Sequence, residues 1–154
     1  MANATLLGKH PMLMRLELAH LERIAAAGQV EAWNPDEVVV HEGAFGEAMY
    51  LVLTGRVAVL KAGHALAELT SGDFFGEMSL VEPAPRSATV TAVEPSYLFR
   101  LPHDALRQLI TDSPDASNAL LIQIVRTLSE RLRRGNATIS SVGALADWLA
   151  GSMV

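Results

Sequence analysis

The chain has no cysteine among its 154 residues. That absence removes disulfides, thiolate nucleophiles, zinc ribbons and cysteine-ligated iron–sulfur clusters, and it fits a reducing cytoplasm. An excess of basic residues is missing too, with 12 Lys and Arg against 17 Asp and Glu, a net charge of −5 and a sequence pI near 5.5. Such a field repels nucleic-acid phosphates and anionic membranes, so neither is an expected partner. There is no uninterrupted run of about 18 apolar residues. The most apolar candidate, Ala119 to Val125, contains Gln123. Met1 to Lys9 lacks the basic-then-apolar pattern of a secretory leader. The five histidines, His10, His20, His41, His64 and His103, show no pair at the i, i+4 spacing of helical metal ligands, and no metal site is expected. No solenoid-length repeat and no low-complexity linker interrupts the chain.

What is present is ordinary globular material, half hydrophobic and 19% charged, in the length range of a single domain. Leu13, Leu16, Leu21 and Ile24 recur near helical spacing, which predicts a helix over 11–27. From 30 to 101 the character changes to short β-branched runs at 38–40, 49–53, 57–60, 66–69, 88–93 and 97–101, parted by Gly, Asn, Asp and Pro. Helical periodicity returns over 102–134, with Pro114 at the first turn of a long helix and Leu120, Ile124, Leu128 and Leu132 four apart. That stripe suits either packing across the sheets or pairing with another copy or a partner protein. The expected fold is α+β, mainly β: an antiparallel, jelly-roll-like β-roll with an N-terminal helix and C-terminal helices. The domain spans 1–135, and 136–154 forms a tail, read as a short helix or frayed.

The chemistry concentrates in 72–90, where a turn, a short helix and a Pro-rich loop interrupt the strands. Gly76 stands at a helix start, where a side chain would obstruct a ligand and the next backbone N–H groups are unpaired donors, an anion site. Arg86, ten residues on, precedes a strand that returns to the same place and can grip an anion in bidentate fashion. Glu77 is self-defeating beside a bare phosphate. It makes sense if the ligand also offers hydroxyls, as a ribose beside a phosphate does. Alternatively, Glu77 and Arg86 form a structural ion pair, worth about 0–1 kcal/mol at a surface.

The run Phe75-Gly76-Glu77-Met78-Ser79-Leu80, followed by Pro85-Arg86-Ser87-Ala88-Thr89-Val90, resembles the phosphate-binding cassette of cyclic-nucleotide-binding domains. Such domains occur in kinase regulatory subunits, gated channels and catabolite-activator-like regulators. The likeness extends upstream through Glu42 to Gly46 and Met49 to Val57, and covers about 11–134. It implies a cAMP or cGMP sensor in signal transduction, without catalysis or cofactor. Glu77 would take the ribose 2′-hydroxyl and Arg86 the exocyclic phosphate oxygens. Backbone amides near Met78 and Ala88 and the hydroxyls of Ser79 or Ser87 would complete a cradle on a short phosphate-binding helix, with Val59 and Leu66 as the apolar wall against the base. Pro83 stands where many members carry glycine, implying a stiffer loop. Ser87 occurs in binders of either nucleotide, so the base stays open.

Ligand would move the C-terminal helices. The alternative is a degenerate fold that serves as a protein-interaction module without nucleotide. Ser79, Ser87, Asp73 and His41 can be assembled on paper into a hydrolytic triad, but no nucleophile-elbow motif supports it. Only 20 residues follow Arg134, too few for a DNA-binding domain, so a stand-alone sensor is expected.

Overall fold

Every residue from Ala48 to Leu53 is buried in the computed structural model, which describes residues 2–77 and 84–135. A strand reads as a continuous apolar run only when both its faces are covered. Met49, Leu51 and Leu53 face a cluster built with the helices, whereas Ala48, Tyr50 and Val52 face a second cluster between two sheets.

The elements are α1 (Ala2–Gly8), α2 (Leu18–Ala27), β1 (Gln29–Trp33), β2 (Val38–Val40), β3 (Ala48–Thr54), β4 (Arg56–Lys61), β5 (His64–Thr70), β6 (Phe74–Phe75), β7 (Thr89–Ala92), β8 (Ser96–Pro102), α3 (His103–Asp112) and α4 (Pro114–Gly135). One sheet runs β1-β8-β3-β6 and the other β2-β7-β4-β5, with antiparallel pairing throughout. The two sheets enclose Val57, Val59, Phe75, Val90 and Leu98, while the helices cover the outer face of the first sheet through Leu21, Ile24, Leu106, Leu120 and Ile124. This is the α+β β-roll with flanking helices. The short helix expected after Gly76 lies outside the described residues, as does the tail at 136–154.

Two features depart from the sequence reading. The helix expected over 11–27 forms only as α2 over its second half, its first half is a chain of turns, and a further helix, α1, precedes it. Successive turns close at His10 N–H to Leu7 O (3.0 Å), Leu13 N–H to His10 O (2.8 Å) and Leu16 N–H to Leu13 O (3.0 Å). Buried His10 anchors them: its Nδ1 accepts from Met12 N–H (3.1 Å) and its Nε2–H donates to Asp73 O (3.3 Å). Burial lowers its pKa, which keeps the ring neutral, as an accepting Nδ1 requires. Secondly, β1 forms before the first expected strand. None of its residues is fully buried and it pairs β8 alone, so its alternation is faint.

Candidate functional site

β6 pairs with β3 and then delivers Gly76 at φ +83°, a left-handed conformation that glycine adopts at little cost. A Cβ there would stand 2.5 Å from Arg86 Nη1 and 2.8 Å from Ala48 O. On the opposite wall, a Cβ on Gly46 would meet Arg86 Cζ at 2.6 Å. The guanidinium therefore fills a slot that two glycines leave open, and its Nη2 donates to the Ala48 carbonyl. The obstruction that Gly76 avoids is Arg86.

The loop before β3 fixes the Arg86 backbone. Arg86 N–H donates to Ala44 O and Arg86 O accepts from Gly43 N–H, both at 2.7 Å, with a bridge between Phe45 and Pro85. Glu42 extends the clamp: its N–H donates to Thr89 Oγ1 (3.0 Å) and its Oε1 accepts from Ala62 N–H (3.0 Å) in the β4–β5 turn. A cavity of about 190 Å³ opens beside Arg86, lined also by Phe45, Tyr50 and Arg100. Tyr50, on this lining, stacks on Phe75 with ring centroids 5.0 Å apart.

Glu77 is 3% exposed, and among the described residues no other side chain or backbone group stands within hydrogen-bonding geometry of its carboxylate oxygens. Burial pushes its pKa up to about 7, against its own backbone N–H and the opposing charges of Arg131 and Arg86. Burial also disfavours the charged form of Arg86, which Tyr50 and Glu77 partly offset. His103, at the start of α3, lies with Nε2 3.2 Å from Gly76 O, and desolvation lowers it to about 4. It is neutral at physiological pH and donates to that carbonyl. A buried acid without a donor is costly to ionise. It is matched by a ligand that brings a hydroxyl donor.

The structure thus brings Gly76, Glu77 and Arg86 together, with half-buried Ser87 and buried Ala88 following Arg86. Met78 and Ser79 lie outside the described residues. Val59 is buried in the inter-sheet cluster and Leu66 packs against that same cluster. For the paper triad, His41 is exposed, and Asp73 is committed to Thr70 N–H (2.9 Å) and Arg131 (3.1 Å).

Arg131 escaped the sequence reading. Its Nη2 donates to Asp73 Oδ1 at 3.1 Å, its guanidinium lies 4.5 Å from the Phe74 ring centroid, and its charge reaches Glu77. The signal was present in the helical period. At about 100° per residue, position 131 falls roughly 20° from Leu120, whereas position 132 falls roughly 120° away. The inner stripe therefore runs Leu120, Ile124, Leu128, Arg131, and Leu132 is 45% exposed. Leu132 does not belong to the packed stripe as expected, because fourfold spacing drifts around a helix of 3.6 residues per turn.

The family model described as cyclic nucleotide-binding domain matches residues 30–113. The chain is 32% identical over 100 residues to the cAMP-dependent protein kinase regulatory subunit of Hypocrea atroviridis, covering 65% of this chain and 22% of that protein. It is 30% identical over 109 residues to the CRP-like cAMP-activated global transcriptional regulator of Mycobacterium tuberculosis, covering 68% of this chain and 47% of that protein. The chain thus spans less than half of either relative. Among solved structures, a cyclic nucleotide-binding domain from Methylobacillus flagellatus KT superposes with a TM-score of 0.74 at 29% identity, over 86% of this chain and 77% of that one. Among the described residues, no helix is long and apolar enough to cross a membrane.

Proposed function

The chain belongs to the cyclic nucleotide-binding domain family, and we propose that it is a regulatory sensor that grips the ribose and cyclic phosphate of cAMP or cGMP and catalyses nothing. The observation that carries this reading is the buried carboxylate of Glu77, which meets no other residue's donor among the described residues, near a guanidinium held in a two-glycine slot. Glu77 accepts from the 2′-hydroxyl. Arg86 leaves the Ala48 carbonyl for the exocyclic phosphate oxygens, helped by backbone amides at Met78 and Ala88 and by Ser79 or Ser87. Val59 and Leu66 form the wall against the base. The two curated relatives above carry cAMP in their names, which makes cAMP the first ligand to test.

The working unit is 1–135, in the cytoplasm. Arg131 supports a route from ligand to helix, because it joins α4 to Asp73 and feels the charge of Glu77. When the Glu77 carboxylate takes a ligand hydroxyl, the balance at Arg131 changes and α4 shifts. Calorimetric titration with cAMP and, separately, cGMP is the test. Micromolar or tighter saturable binding of one is expected; no heat with either, from folded and nucleotide-free protein, contradicts the reading.

A second reading draws on the outer face of α4, where Ile122 is 51% and Val125 61% exposed. This face suits a second copy or a partner protein, alongside nucleotide binding or in place of it. Sedimentation of wild type against Val125→Glu tests it, with a shift from dimer to monomer expected for a self-pairing face.

A further inference from the structure

A second cavity, of about 500 Å³, lies between the N-terminal turns, the β5–β6 turn and the flank of α4. Three arginines line it, Arg15, Arg126 and Arg134, in a chain that holds ten arginines and a net charge of −5. Its two acids are already committed. Asp73 bonds Thr70 N–H and Arg131, and Glu130 faces Arg134 at 3.7 Å. Among the described residues, Arg15 and Arg126 have no ion pair, although they come from elements far apart in the sequence. Cations gathered on one cavity repel one another unless an anion lies between them. The end of β5 and the turn after it contribute hydroxyl-bearing residues to the same wall, Thr70 and Ser71.

We infer that this cavity is an effector site for a phosphate-bearing small molecule, separate from the cassette. Guanidinium forks match phosphate oxygens in bidentate fashion. The volume exceeds that of a bare ion and falls in the range of about 300–1,000 Å³ usual for small-molecule sites. Occupancy ties Arg15 of the N-terminal turns to Arg126 of α4 across Asp73, the residue that α4 already holds through Arg131. The ligand stiffens the strut under the cassette. Its existence does not rest on the nucleotide reading.

The test is calorimetric titration of the full chain with pyrophosphate at fixed ionic strength. Saturable binding is expected in wild type and persists in Arg86→Ala, which removes the cassette's cation. Arg126→Ala and Arg15→Ala, both exposed side chains, each weaken it at least about tenfold, the loss of one charge-assisted contact of about 1.4 kcal/mol or more. Arg133→Ala, which removes the same charge outside the cavity, leaves it within about twofold. No saturable binding, loss in Arg86→Ala, or equal loss in Arg133→Ala overturns the proposal.

Discussion

Phe99 and Arg100 are neighbours on β8, and they face opposite sides of one sheet. On the helix side, Phe99 joins Met49, Leu51, Phe74 and Leu101, all fully buried and all apolar. On the roll side, Tyr50, Val52, Phe75 and Leu98 begin in the same way, but Arg100 and Arg86 line a cavity there and Arg86 lies within electrostatic reach of the buried carboxylate of Glu77. One backbone therefore carries an apolar, fully buried face and a face that brings charged groups together. The helix face supplies the stability from which the other face draws.

The largest effect belongs to the helix side. Phe99→Ala should lower unfolding free energy by about 3–5 kcal/mol in a denaturant titration, the transfer and cavity cost of a buried phenyl ring. A loss under about 1 kcal/mol would erase the contrast between the two faces. Arg86→Ala, on the roll side, should cost about 2–5 kcal/mol of cyclic-nucleotide affinity. Its denaturation midpoint should move much less than that of Phe99→Ala.

Glu77→Gln sharpens the comparison because its two readouts move in opposite directions. The folded pKa, about 7, lies above the ordinary glutamate value of 4.5, so the folded state holds the proton more tightly. Stability of the unliganded domain is then fully present below about 4.5 and is lost as pH rises to about 7, by up to about 3 kcal/mol. Against this, Glu77→Gln should be the more stable protein at pH 8 and equal to wild type near pH 4. His103, shifted down to about 4, adds an opposite slope common to both proteins, which the difference cancels. Cyclic-nucleotide affinity should fall in the variant by about 1–2 kcal/mol. In wild type, it should weaken as pH drops below about 7, because a ligand hydroxyl favours the ionised carboxylate.

The smallest effect is expected at the link between the faces. Arg131→Ala removes an ion pair and a cation–π contact at a side chain 14% exposed, together about 1 kcal/mol. Hydrogen exchange should quicken in the last turns of α4 and leave α2 unchanged.

The fold was legible where periodicity is strong. The apolar runs of β3, β4 and β8 and the Pro114 start of α4 can be read from side-chain spacing alone. The break at His10 cannot, because it depends on a hydrogen bond to Asp73, 63 residues away. Motif spacing and the chemistry of an acid beside a base single out Glu77 and Arg86 as candidates, and the fold brings them close enough to interact. Gly46 was not assigned to the site, since its role is to leave room for a guanidinium that arrives 40 residues later. Arg131 does not show in a four-residue count, because the inner face of a helix turns every 3.6 residues.

The most direct measurement compares cAMP with 2′-deoxy-cAMP on wild type and on Glu77→Gln. If Glu77 holds the ribose hydroxyl, deletion of that hydroxyl should weaken wild type about tenfold and the variant hardly at all, a coupling of about 1.4 kcal/mol. An equal penalty in both proteins would place the ribose away from Glu77 and contradict the assignment of the site.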